Sequence, residues 1–349
     1  MSTWYPNERD PSWTCPAPTR DALTFHRLLD GYAPTPVVDL PALAGELGVG
    51  RLLVKDESAR LGLPAFKALG ASWAVHQVVE HRAGAPGTLV TATDGNHGRA
   101  VARFARMRGQ DARIFVPRGV GAPAIAAIEG EGAPVTRVDG TYDDAVAAAA
   151  QAARENDWDL VQDTAWDGYH QVPAWIVDGY GTLLVELDAQ AEALGAAPID
   201  LVIVPTGVGS LLQAVIAHCR THPGGPAMVA VEPDVAACIG PSLAAGHPVT
   251  VETGITSMAG LNCGTLSPMA WPYIQQGLDA AVTVSDQQAA DAAERLAHDG
   301  VGAGPCGAAS LAALRVVVDG AAGRARCAHL GLGPDSTVAL LVTEAAPSA

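Results

Sequence analysis

Thr88-Leu89-Val90-Thr91-Ala92-Thr93-Asp94-Gly95-Asn96-His97-Gly98 changes character midway. It opens as a short β-rich run, passes into a turn bracketed by two glycines, and leads into Gly98 to Met107, which reads as a helix. Strand, tight turn and helix in that order make half of a parallel βαβ unit, and the alternation recurs along the chain. Further candidate strands are Leu52 to Lys55, Ala112 to Val116, Val135 to Val138, Leu201 to Pro205, Ala227 to Val231 and Thr337 to Val342. Each is brief and apolar almost throughout, as strands covered on both faces are. Phe66 to Val79, Ala122 to Glu129, Tyr142 to Asn156, Gly207 to His218, Ser285 to His298 and Gly307 to Val318 read as helices. An α/β fold with parallel sheets is expected.

At 349 residues the chain exceeds what one core usually serves, so two domains are expected. The reading places a smaller inserted domain at residues 75–184 and a larger one at 1–74 and 185–349. The formal net charge of −16 and the lack of any Lys/Arg-rich run argue against nucleic acid and anionic membrane surfaces as partners. No uninterrupted apolar segment is long enough to span a bilayer, and the first ten residues lack the pattern of a secretory signal, which predicts a cytoplasmic protein. The six cysteines are scattered singly, with no zinc-ligand spacing, so buried or incidental thiols and no metal site are expected.

Lys55 and Lys67 are the only lysines. Lys67 lies in the apolar stretch Leu63-Pro64-Ala65-Phe66-Lys67-Ala68-Leu69-Gly70, where an amine desolvated by its neighbours would have a lowered pKa and attack a carbonyl. An Arg-rich composition that left two surface lysines is the plainer alternative. In the turn after Ala92, Asn96 offers both donor and acceptor groups, although any strand-to-helix turn also favours Asp, Gly and Asn. His97 there is more often a packing or orienting residue than a catalyst. Pro205-Thr206-Gly207-Val208-Gly209-Ser210 is a second strand-to-helix turn, whose amides could cradle a phosphate with help from the hydroxyls of Thr206 and Ser210. By itself that loop is weak, being neither a dinucleotide fingerprint nor a P-loop. In Gln162-Asp163-Thr164-Ala165-Trp166, Asp163 at a strand end could be desolvated enough to take a proton near neutral pH, or could simply cap the next helix. Together the lysine, the phosphate loop and two strand-end acids suit an aldehyde-bearing phosphorylated cofactor, and pyridoxal 5'-phosphate fits best.

The ordered set Lys55-Asp56-Glu57-Ser58, Ala65-Phe66-Lys67-Ala68-Leu69-Gly70, Asp94-Gly95-Asn96-His97-Gly98, Gln162-Asp163-Thr164-Ala165-Trp166, Gly207-Val208-Gly209, Val231-Glu232-Pro233 and Met258-Ala259-Gly260-Leu261 resembles the diaminopropionate ammonia-lyase family, one of the fold-type-II, tryptophan-synthase-β-like pyridoxal-phosphate enzymes. The likeness runs from about residue 30 to residue 345. It implies two doubly wound parallel-sheet domains with the cofactor in the cleft between them, a homodimer, and an amino-acid substrate. By the same resemblance Lys67 anchors the cofactor, Phe66 packs near its ring, Asn96 bonds its phenolic oxygen, and Gly207, Val208 and Gly209 bind its phosphate. Thr343 then places a neutral hydroxyl near the ring nitrogen. Asp94 and Asp163 serve Cα-proton removal from opposite enantiomers, and Glu232 is structural or a helper. The implied reaction is α,β-elimination of 2,3-diaminopropionate to pyruvate and ammonia.

Two departures bear on the substrate more than on the cofactor. Gly302-Ala303-Gly304-Pro305-Cys306-Gly307-Ala308-Ala309 occupies the region where the family typically has Glu-Ser-Gly-Ala, so that Pro305 and Cys306 replace an acid and a hydroxyl, and Thr343-Glu344 runs into Ala345-Ala346-Pro347 without the family's acidic stretch. The rival readings are elimination or replacement on another β-substituted alanine, a serine/threonine-type dehydratase, and a non-catalytic relative that binds the cofactor or an amino acid. Asp94, where dehydratases usually carry serine, argues against the second. Joint retention of Lys67, Asp94 and Asp163 argues against the third.

Overall fold

The computed structural model describes residues 2–346; Pro347, the last residue of the departing C-terminal stretch, lies outside them. The chain divides into two compact units, Met1–Thr19, Ala33–Phe66 and Leu183–Ala349 in the first, Arg20–Tyr32 and Lys67–Thr182 in the second. Eleven strands are numbered along the chain among the described residues: β1 (Trp4–Pro6), β2 (Val37–Asp39), β3 (Arg51–Asp56), β4 (Thr88–Ala92), β5 (Asp111–Val116), β6 (Val135–Arg137), β7 (Asp159–Leu160), β8 (Ile199–Pro205), β9 (Ala227–Pro233), β10 (Ala280–Val284) and β11 (Thr337–Val342).

The first unit holds a seven-stranded sheet in the order β1-β10-β9-β8-β11-β3-β2, parallel except at its two short edge strands. All residues of β10 and β11 are buried, and the core gathers Leu201, Ile203, Val229, Val282 and Leu340 with the helix Pro305–Val318. Strands so enclosed need apolar side chains on both faces, which is why these runs lack alternation. The second unit holds a four-stranded, wholly parallel sheet in the order β6-β5-β4-β7. Its core sets Val90 and Ala92 against Ala145, Ala149 and Ala153 of the helix Tyr142–Asn156, small side chains that let helix and sheet approach closely.

Both sheets reverse their strand order once. In the first, the chain steps from β8 to β9 to β10 in one direction, while β11 pairs on the other side of β8. In the second, it steps from β4 to β5 to β6, while β7 pairs on the other side of β4. Such reversals splay the loops leaving neighbouring strand ends and open a crevice outside the carboxyl ends, the usual ligand site of open α/β sheets.

The unit boundaries differ from those expected. Residues 67–74 belong with the second unit, because the helix Lys67–His81 starts at Lys67 and packs on the helix Asn96–Met107. Residues 20–32 join it as well: the helix Asp21–His26 carries His26, fully buried, whose ring nitrogens bond the Thr182 hydroxyl at 2.7 Å and the Leu69 carbonyl at 3.0 Å. Among the described residues no single helix is long and apolar enough to cross a membrane.

Candidate active site

In the second unit the switch point lies between β4 and β7, and the loops leaving these two strands carry the two acids. Asp94 follows β4 at the start of the helix Asn96–Met107, which Asn96 opens; Asp163 follows β7. Lys67 begins its own helix and points its Nζ to Asp163 Oδ2 at 2.5 Å, with the Tyr180 ring centroid 5.8 Å away. The amine's setting is thus an ion pair with a side chain one-fifth exposed, rather than the purely apolar surroundings expected for it.

Asp163 is buried and heavily bonded. Tyr142 Oη donates to its Oδ1 at 3.2 Å, and so does Gln162 Nε2 at 3.2 Å. Burial alone would push this carboxyl up, but the Lys67 charge and the donated hydrogen bonds outweigh it and hold Asp163 well below the usual carboxylate range. The expectation of a proton-taking acid near neutral pH therefore does not hold for Asp163 in this state, and neither does the capping alternative, since the next helix starts only at Gln171. Asp94 is the acid in that range: loss of solvation, then the charge of Asp163, push it up to about 7, against the pull of Lys67. His97 donates from Nε2 to the Val161 carbonyl at 2.8 Å, steadying the chain just before Gln162 and Asp163. Burial lowers its pKa, so it stays neutral and orients rather than catalyses.

In the first unit the switch point lies between β8 and β11. The loop after β8 runs through Thr206, Gly207 and Val208 to Gly209, and Ser210 starts the helix Ser210–Cys219. Gly209 has φ +98°, a left-handed conformation that side chains strain to adopt. At Gly207 a Cβ would lie 2.9 Å from the Gly260 carbonyl oxygen and 3.1 Å from Cys263 Sγ, so only glycine fits. The amides of Gly207, Val208 and Gly209 make no hydrogen bond to the described residues, which leaves a cradle of donors at a helix N-terminus suited to a phosphate. Thr206 contributes less than expected: its hydroxyl donates to the Val204 carbonyl at 2.9 Å, so that proton is not offered to an anion. After β11, Thr343 Oγ1 is buried with no partner among the described residues, an orphan that a ring nitrogen would satisfy. The Phe66 amide donates to the Thr343 carbonyl at 3.1 Å, which brings those two expected residues together.

Lys55, Glu232 and the departing segment bear on three open questions. Lys55 is not on the surface; it is fully buried and paired at 2.8 Å each with Glu186, Gln190 Oε1 and the Thr35 carbonyl. Glu232 accepts the amides of Cys238 at 2.8 Å and Ile239 at 3.1 Å, a structural cap on the helix Ile239–Ala245. In the departing segment, Pro305 opens the helix Pro305–Val318 and Glu344 Oε1 accepts from the Cys306 amide at 3.3 Å, so an acid does reach that helix start from the far end of the chain. Sequence reasoning missed Tyr142, Tyr180 and Glu344 as members of these clusters. Gln162 stood directly beside Asp163 as a signal; Tyr142 and Tyr180 had none.

The family profile described as "Pyridoxal-phosphate dependent enzyme" matches residues 28–344. The diaminopropionate ammonia-lyase of Escherichia coli K12 is 38% identical over 288 residues, 77% of this chain and 72% of its own length. That of Salmonella typhimurium LT2 is 38% identical over 296 residues, 77% and 73% of the two chains. The crystal structure of the Escherichia coli enzyme in complex with an aminoacrylate–pyridoxal-phosphate azomethine reaction intermediate is similar at a TM-score of 0.92 and 33% identity, covering 99% of this chain and 94% of that one.

Proposed function

Because the chain belongs to the pyridoxal-phosphate-dependent enzymes and, within their fold type II, to the diaminopropionate ammonia-lyase family, we infer that it eliminates ammonia across Cα and Cβ of 2,3-diaminopropionate. The observation that carries the reading is the Lys67 amine 2.5 Å from Asp163, on a strand end next to the one that bears Asp94. Pyridoxal phosphate, when bound, supplies an aldehyde for an amine and a ring that takes up the electrons freed at Cα.

We assign anchoring to Lys67, phosphate binding to the free amides of Gly207, Val208 and Gly209 with Ser210 at the helix start, and ring contact to Phe66. Asn96 serves the phenolic oxygen, and the orphan hydroxyl of Thr343 serves the ring nitrogen. Asp94 and Asp163 each remove the Cα proton of one enantiomer. Asp94, pushed up to about 7, exchanges a proton in the neutral range. Asp163 takes one only when the charge of Lys67 is drawn away from it. The overall balance is one ammonia from Cβ, then pyruvate and a second ammonia when the released enamine hydrolyses. The same reading carries a cytoplasmic homodimer, which light scattering and cell fractionation test.

Keto-acid release from a panel of β-substituted D- and L-alanines decides the substrate; turnover of another member with none from diaminopropionate would replace it. General-base loss typically costs on the order of 10²- to 10⁴-fold in rate. Asp94→Asn is therefore expected to depress elimination from the D-enantiomer by about that factor and spare the L, with Asp163→Asn doing the reverse. Equal losses on both enantiomers from either variant would mean one shared base and end the two-acid assignment.

A further inference from the structure

We propose that Asp163, oriented by Gln162 and Tyr142, is a positioning residue that stores Lys67 as an ammonium in the cofactor-free protein and so sets the pH at which pyridoxal phosphate is taken up. The proposal rests on Lys67 being the anchoring amine. The directions of the hydrogen bonds carry it.

A backbone N–H can only donate. That of Ala92 donates to Gln162 Oε1 at 2.9 Å, and the Thr91 hydroxyl does so at 3.0 Å, which settles the orientation of this buried amide. Gln162 Nε2 therefore donates, to Tyr142 Oη at 2.9 Å and to Asp163 Oδ1 at 3.2 Å. With its oxygen receiving that bond, Tyr142 gives its own proton to Asp163 Oδ1 at 3.2 Å. Lys67 Nζ donates to Oδ2 at 2.5 Å. Each of these contacts presents a donor to Asp163, and a carboxyl that only accepts is favoured as the anion.

The other titratable groups around the pair in this unit cannot replace it. His97 is neutral, with its Nε2 proton given to Val161. Tyr180 is pushed up by burial and stays a phenol. Asp94, which also feels Asp143, takes up a proton near neutral pH. Only the charge of Asp163 persists across the range in which Lys67 must lose its proton. Uptake releases one proton from the ammonium, joins Nζ to the aldehyde carbon by a double bond and expels the aldehyde oxygen as water, with no change of oxidation state.

The chain's two lysines make the test clean, because Lys55 is locked in its buried ion pair. The cofactor is stripped from the wild type, Asp163→Asn and Tyr142→Phe, and two midpoints are followed. One is the pH dependence of the rate at which absorbance develops with added pyridoxal phosphate. The other is the titration of the Lys67 amine, read by NMR after reductive ¹³C-methylation. Loss of an adjacent opposite charge shifts a pKa by about 1–3 units, so Asp163→Asn should move both midpoints down by about that much. Tyr142→Phe should move them up, because its proton no longer draws charge from Oδ1. A merely structural role would move both variants the same way or neither; either result overturns the proposal. If Asp163→Asn fails to fold, the upward shift in Tyr142→Phe still decides. If no absorbance develops, the anchoring reading fails, and the amine titration still decides the pairing.

Discussion

Lys55 and Lys67 have the same side chain in opposite settings. Lys55 has no exposed side-chain surface and three partners in the first unit, and its counter-ion Glu186 is also held by Arg60 Nη2 at 2.7 Å. Lys67 is one-fifth exposed and pairs with Asp163, 96 residues further along the chain. Breaking a buried pair by removing one partner costs about 3–5 kcal/mol. Lys55→Met is expected near the low end, since Arg60 still neutralises Glu186, and should keep the cofactor's absorbance. Lys67→Ala should lose that absorbance and also lower stability, because it leaves the buried carboxylate of Asp163 without its counter-ion, and borohydride reduction of the native protein followed by peptide mapping should label Lys67 alone. Label on Lys55 would reverse the two roles. The pair also shows what a sequence hides at this scale. Asp94 and Asp163 stood out through their motifs, whereas their protonation depends on burial, on Lys67 and, for Asp163, on Tyr142, which only the fold brings near them.

At the scale of elements, most of the central strands were legible in the sequence. The candidate strands at β4, β5, β8, β9 and β11 coincide with the observed ones to within two residues at either end. β10, Ala280-Ala281-Val282-Thr283-Val284, escaped notice although it is wholly buried and mostly β-branched, as did the short edges β1 and β2, whose stability comes from pairing rather than composition. The helix Gln171–Ala193 was missed too; it carries Pro173, Gly179 and Gly181, residues that are unfavourable inside helices. The structure uses one of them: a Cβ on Gly179 would come 2.6 Å from the Leu69 carbonyl oxygen, so the missing side chain lets this helix approach the one that Lys67 begins. Gly209 shows the same dependence on local geometry. Its φ of +98° costs a side chain roughly 1–2 kcal/mol, and a Cβ would press on Ala270 at 3.1 Å. Gly209→Ala is therefore expected to lower the stability of the cofactor-free protein by about that amount and also to weaken cofactor retention, measured by denaturant unfolding and by dialysis. Unchanged retention in the folded variant would remove this loop from phosphate binding.

Over the whole molecule, strand order decided where chemistry could gather, and strand order is what local sequence says least about. The motifs marked loops after strands; that β7 lies beside β4 and β11 beside β8 depends on pairing between distant segments. Residues 20–32 fold with a unit from which residues 33–66 separate them, for the same reason. Burial on this scale also imprints a pH dependence. Glu232, at the end of β9, is buried, and that burial pushes its carboxyl from an ordinary 4.5 up to about 7, although the amides of Ile239 and Cys238 oppose the rise. Below pH 4.5 the folded and unfolded chains both hold the proton, so the group has no effect. Between 4.5 and about 7 the unfolded chain releases it while the folded one keeps it, so stability falls as pH rises, and above about 7 the loss is complete. At about 1.4 kcal/mol for each pH unit between the two values, the loss is up to about 3 kcal/mol. Glu232→Gln keeps an oxygen for the two amides and has no proton to lose. Its melting temperature should match the wild type near pH 4.5 and exceed it progressively towards pH 8. A difference that does not change with pH would mean that Glu232 ionises alike in both states, and its burial would then have to be compensated by groups other than the two amides.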